Sequence, residues 1–127
     1  MRSRLRVLIA DDNARVVRSV SRLLALDYDV VGSVNNGGGL LQAAEELHPD
    51  IIVLDLSLRD GESLGACRQV TQRIPGMKVI VFSADDNPEV MARAYDAGAA
   101  DFVDKLFADA LLSAVRRLDG KRVDGKR

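Results

Sequence analysis

Short runs of apolar residues, separated by stretches with helical spacing, constrain this 127-residue chain more than any other feature. Val7-Leu-Ile-Ala10, Ile51-Ile-Val-Leu54 and Val79-Ile-Val-Phe82 are apolar at every position; Val30-Val31 is a fourth run and Phe102-Val103 a weaker fifth. A strand with one wet face alternates polar and apolar residues. An uninterrupted run instead suits a strand covered on both faces, as in a parallel sheet between two helical layers.

The intervening segments carry apolar residues three or four positions apart: Val17, Val20 and Leu24; Leu40, Ala44 and Leu47; Cys67, Val70 and Ile74; Leu111, Val115 and Leu118. Each set forms one helix face able to cover a sheet. Pro75-Gly76 stops the third helix, while Pro88 suits the first turn of the fourth, which should run to about Ala97 and end at Gly98. Five strand–helix units with right-handed crossovers predict an α/β fold: a doubly wound, flavodoxin-like, five-stranded parallel sheet in the order 2-1-3-4-5 with five helices. One domain is expected over residues 1–118. Residues 119–127, where Asp119-Gly-Lys-Arg122 recurs as Asp124-Gly-Lys-Arg127, read as a polar tail or the start of a linker.

Composition excludes several classes. The longest apolar runs fall far short of the ~18 residues of a membrane span, and the run after the basic N-terminus is too short for a signal-peptide core. A lone cysteine, Cys67, can make neither an internal disulfide nor a thiolate metal cluster, which suits a cytoplasmic location. The formal charge of −1 argues against direct nucleic-acid binding, which needs clustered positive charge.

In open parallel sheets, functional groups gather beyond the carboxyl ends of the strands. Here strand one ends on Asp11-Asp12, strand three on Asp55, strand four on Ser83 and strand five on Asp104-Lys105. The proposed order brings these ends together. Three carboxylates repel one another unless a cation sits among them, and an all-oxygen donor set with room for water and phosphate suits Mg²⁺. Asp55 is then a carboxylate nucleophile able to form an acyl phosphate. Lys105 and Ser83 supply a compact positive charge and a rotatable donor for the arriving anion.

With these residues in place, the chain resembles the receiver domains of two-component response regulators over almost its full length. The matching motifs are Val7-Leu-Ile-Ala-Asp-Asp12, Pro49-Asp-Ile-Ile-Val-Leu-Asp55-Leu, Asp60-Gly61, Val79-Ile-Val-Phe-Ser-Ala84, Ala97-Gly-Ala99 and Phe102-Val-Asp-Lys105. The resemblance implies phosphorylation on Asp55 by a sensor histidine kinase or phosphotransfer protein. It further implies Mg²⁺ held by Asp12, Asp55 and the Ser57 carbonyl, with Asp11 acting through water. Ser83 and Lys105 would grip the phosphoryl group, Phe102 would be a rotating aromatic switch, and Ser57 and Asp85 would tune hydrolysis. Output would pass through the fourth helix, fifth strand and fifth helix, and the domain would be a regulatory phosphoacceptor rather than an enzyme beyond self-catalysed phosphotransfer and dephosphorylation.

Three positions depart from the family pattern: Arg59 and Leu106 stand where prolines are usual, and Ser63 where glycine is common. Leucine after Lys105 favours a trans peptide bond, because cis costs about 2.5–4 kcal/mol before a non-proline residue. Two rival functions are a metal-dependent aspartyl phosphatase, which would want an acid where Ser57 stands, and a receiver-like interaction scaffold that no longer depends on phosphate. Asn36-Gly-Gly-Gly39 lacks the Gly-Lys-Ser/Thr ending of a phosphate loop and reads as a flexible connection. His48 suits the end of a helix before Pro49, and Cys67 suits a core.

Overall fold

All five apolar runs form strands, and the structure, a computed structural model, describes residues 4–119. The elements are β1 (Arg6–Ala10), α1 (Ala14–Ala25), β2 (Asp29–Val34), α2 (Leu40–Leu47), β3 (Ile51–Leu54), α3 (Ser63–Arg73), β4 (Lys78–Ser83), α4 (Pro88–Asp96), β5 (Asp101–Asp104) and α5 (Ala108–Leu118). Every strand pairing is parallel, in the order β2-β1-β3-β4-β5.

Side chains alternate across a strand, so each continuous run feeds two cores. Leu8, Ala10, Ile52, Leu54, Val79 and Val81 face one way and pack with residues of α2, α3 and α4. Val7, Ile9, Ile51, Val53, Ile80, Phe82 and Val103 face the other and pack with α1 and α5. That two-sided burial is why alternation is missing from β1, β3 and β4, whereas β2, at the sheet edge, is only half-buried.

Helix boundaries follow local chemistry. The Asn13 side chain accepts from the amides of Arg15 and Val16 and caps α1, and the Asn87 side chain does the same for Glu89 ahead of Pro88 in α4. Helix α4 ends at Asp96, one residue before the expected Ala97, and Gly98 follows in the left-handed region at φ 107°. A Cβ at Gly98 would lie 2.4 Å from Thr71 Oγ1, so this glycine serves the close seating of α4 on α3 as well as the turn. His48 closes α2 at φ 51°, and the Arg6 guanidinium donates to the carbonyls of Leu47 and His48 there. His48 thus lies beside the start of β1, at the opposite end of the sheet from Asp11.

The glycine loop differs from its reading as a flexible connection. Asn36 Oδ1 accepts from Gly39 N at 2.8 Å, Gly38 N donates to Asp60 Oδ2 at 3.0 Å, and a Cβ on Gly37 would sit 2.9 Å from the Glu62 backbone. These glycines therefore allow the β2–α2 connection to lie directly on the β3–α3 connection. Asp119 follows α5 as its C-cap, and residues 120–127 of the expected tail lie outside the described residues.

Candidate functional site

The parallel register sets the site. Asp11 and Asp55 each come one residue past the end of adjacent strands, and the backbone continues the ladder there: Asp55 N donates to the Ala10 carbonyl at 2.9 Å and Asp11 N to that of Val34 at 3.0 Å. Their side chains are buried, at 4% and 3% exposure. Asp12 joins them, and one carboxylate oxygen from each of the three lies within 4.8 Å of the others.

Three close carboxylates need compensation, and Lys105 supplies part of it. Its ammonium donates to Asp11 Oδ2 at 2.9 Å and stands 3.4 Å from Asp55 Oδ1. Phe82 lies under the same ammonium, 5.8 Å from its ring centre, so Lys105 is steered by an aromatic face as well as by acids. No cis peptide bond occurs among the described residues; Lys105–Leu106 is trans, as the leucine predicts, and Lys105 reaches both acids from that geometry.

Hydrogen bonds fix the individual acids. Asp55 Oδ1 accepts from Ser57 N at 3.0 Å and Ser57 Oγ at 2.9 Å, while Asp11 Oδ1 accepts from Asn13 N at 2.9 Å. Asp12 Oδ2 accepts from Arg59 N at 3.1 Å. The buried Ser63 hydroxyl donates to the Asp55 backbone carbonyl at 2.8 Å, tying the first residue of α3 to the strand end. The sequence marked Ser63 only as a departure from glycine. Its buried tether to Asp55 requires knowing how α3 starts, which no local pattern gives.

Ser83 is buried at the end of β4, opposite Asp104 of β5 in the register, and its backbone carbonyl accepts from Lys105 N at 3.0 Å. Its hydroxyl accepts from Asp85 N at 3.1 Å. Ser57, Ser83 and Asp85 line a cavity of about 230 Å³ together with Leu56, Leu64, Val90 and Arg93. Phe102 is half-buried on β5 and packs against the core shared with α2, α3 and α4. Cys67 is fully buried in that core, where desolvation pushes its thiol up to about 11, so it belongs to packing.

The donor set is oxygen-only and partly pre-formed, with three carboxylates sharing one buried cation and one exposed one, which fits a hard divalent cation.

Comparison with known proteins agrees. The family model for the response regulator receiver domain matches residues 7–116. The chain is 29% identical over 117 residues to the transcriptional regulatory protein DegU of Brevibacillus brevis, covering 90% of this chain and 50% of that protein. It is 36% identical over 109 residues to a protein-glutamate methylesterase/protein-glutamine glutaminase of Pseudomonas syringae pv. syringae, covering 83% of this chain and 28% of that protein. Among solved structures, a LuxR-family two-component response regulator from Aurantimonas superposes with a TM-score of 0.87 at 27% identity, covering 93% of this chain and 87% of that one. The chain belongs to the response regulator receiver domain family and is a phosphorylation-dependent signalling switch of the two-component type. It spans half or less of the length of these two curated relatives. No helix among the described residues is long and apolar enough to cross a membrane.

Proposed function

We propose that Asp55 is the phosphoacceptor, taking a phosphoryl group from a sensor histidine kinase or phosphotransfer protein with Mg²⁺ held by Asp12, Asp55 and the Ser57 carbonyl, and by Asp11 through water. The observation that supports this most is the convergence of three carboxylates within 4.8 Å, with Lys105 bridging Asp11 and Asp55. When bound, Mg²⁺ supplies charge neutralisation for the phosphoryl oxygens.

The chain's own residues do the rest. An Asp55 carboxylate oxygen attacks phosphorus, the bond to the donor's leaving group breaks, and an acyl phosphate remains. No general base is required, because the attacking group carries no proton to remove. Lys105 lies at hydrogen-bond distance from the acid cluster and would hold the new phosphoryl oxygens, with Ser83 as second donor. Such a group consumes no external substrate beyond its phosphodonor, so the domain acts as a regulated acceptor with at most self-catalysed transfer and hydrolysis. The receiver would occupy residues 1–118, with residues 119–127 as a tail or linker, in the cytoplasm.

The output face would be α4, β5 and α5, with Phe102 as the switch aromatic. Tyr95 of α4 is half-exposed there, and Arg117 of α5 pairs with Asp101 of β5, so an aromatic edge and an ion pair share one surface. That surface suits a partner protein or an appended effector; the domain itself would not touch nucleic acid.

Acetyl phosphate with Mg²⁺ should add one phosphoryl group by intact mass, and beryllium fluoride should occupy the same site. Incorporation should vanish in Asp55→Asn and with chelator. Normal incorporation in either case would overturn the assignment.

A further inference from the structure

Positive charge reaches the acid cluster from two sides, and the two sources differ. Lys105 serves the buried pair, Asp11 and Asp55, with a side chain only 19% exposed. Asp12 is served by Arg59, whose Nε lies 3.7 Å from Asp12 Oδ2 although its side chain is 92% exposed. The same oxygen accepts the Arg59 amide at 3.1 Å, a bond that a residue without a backbone N–H at this position would lack. Arg59 makes no other ion pair among the described residues.

Resting on the reading that this cluster holds Mg²⁺, we propose that Arg59 is an internal competitor for that ion: its guanidinium occupies the Asp12 carboxylate in the metal-free state and must be displaced when a divalent cation binds. A tethered monovalent cation on a metal-ligand oxygen lowers metal affinity in two ways. It has to be moved, and its charge reduces the attraction that draws a second cation in. Because the arm is otherwise solvated, moving it costs little, so the effect is a tuning of affinity rather than a block. Exposed ion pairs are worth roughly the equivalent of a one- to five-fold change in an equilibrium constant, which bounds the expected shift.

The test is Mg²⁺ titration of the metal-free protein, followed by amide chemical shifts at residues 11–13 and 55–59. Arg59→Ala and Arg59→Gln should both bind Mg²⁺ roughly two- to five-fold more tightly than wild type at low ionic strength, the range expected for an exposed pair. The gap should narrow in high salt, where the Debye length falls toward about 3 Å at 1 M. Arg59→Lys, which keeps the charge, should stay near wild type, as should Arg73→Ala, which removes one positive charge at the far end of α3. Unchanged or weaker binding in both Arg59→Ala and Arg59→Gln overturns this inference alone, as does equal tightening in Arg73→Ala. Saturable Mg²⁺ binding absent from wild type and every variant overturns the metal reading and this inference with it.

Discussion

The two halves of the sheet's carboxyl edge are built differently. On the β1–β3 side, Asp11 and Asp55 are buried and bonded by neighbouring amides, and Ser63 ties the Asp55 backbone to α3. On the β4–β5 side, the Ser83 hydroxyl accepts from the Asp85 amide in the loop before α4, and Leu106 and Phe107 stand largely exposed beyond Lys105. The fixed half holds its buried acids in place; the other, the half proposed to respond, ends in turns whose bonds are local, Leu106 N on Asp104 Oδ1 at 2.8 Å and Asn87 N on Asp85 Oδ1 at 3.1 Å. Lys105 crosses between them, its backbone on Ser83 and its ammonium on Asp11 and Asp55. In the unphosphorylated form this lysine therefore serves as counter-charge to the fixed half.

Removing that crossing group should have the largest effect. Lys105→Met leaves buried carboxylates without their cation, and breaking a buried pair from one side costs about 3–5 kcal/mol, with the lower end apt for a lysine that keeps some solvent contact. Urea denaturation in chelator should show a loss of about 3 kcal/mol, partly restored by Mg²⁺. Equal midpoints for wild type and variant in chelator would mean that the two halves are independent.

The comparison also shows what a sequence can carry. The fixed half was legible because its information is local: apolar runs dictated buried strands, and each run ended on the acid that the register then aligned with its neighbours. Ser63, Arg59 and Phe82 were not legible, because their contacts to Asp55, Asp12 and Lys105 join residues that only the folded loops bring close. The glycine loop misled for the same reason. Gly37 is needed for its approach to Glu62, and composition alone cannot separate close packing from looseness.

A smaller effect tests the core beneath the fixed half. The Cys67 thiol, raised to about 11 by burial from 9.0, holds its proton more tightly folded than unfolded. Its contribution is intact below pH 9 and lost as pH rises from 9 through 11, by up to about 2–3 kcal/mol from a shift of this size. Tyr95, on the responsive half, is raised in the same direction by desolvation and then by Asp101, so it adds to the alkaline loss. Cys67→Ala should be less stable at neutral pH yet show a flatter decline between pH 9 and 11 by urea midpoint. A decline as steep as wild type's would locate the alkaline sensitivity elsewhere.

Coupling between the halves should be weakened, not abolished, by Ser83→Ala. Moving a population from 1:99 to 99:1 takes about 5.5 kcal/mol, of which a charge-assisted hydrogen bond from Ser83 to a phosphoryl oxygen would contribute about 1.5–3 kcal/mol. The variant should still incorporate phosphate, while amide exchange over α4, β5 and α5 changes less on phosphorylation than in wild type. A full wild-type response in those elements would remove Ser83 from the coupling.

The smallest expected effect concerns the lifetime of the acyl phosphate. Ser57 and Asp85 line the same cavity of about 230 Å³ from opposite halves, together with Ser83, and it has room for water. Asp85 is exposed, and its Oδ1 accepts from Asn87 N at 3.1 Å, so its carboxylate also shapes the approach to α4. A bulky arginine there should fill the cavity mouth and pair with the phosphoryl oxygens, slowing phosphate loss a few-fold. Asp85→Asn separates the contributions, because an amide oxygen can keep the bond to Asn87 while removing the negative charge that would orient attacking water. Phosphate loss followed by intact mass should run fastest in wild type, slower in Asp85→Asn and slowest in Asp85→Arg. If Asp85→Arg loses phosphate as fast as wild type, water reaches the acyl phosphate by another route, and the responsive half does not govern how long the fixed half stays charged.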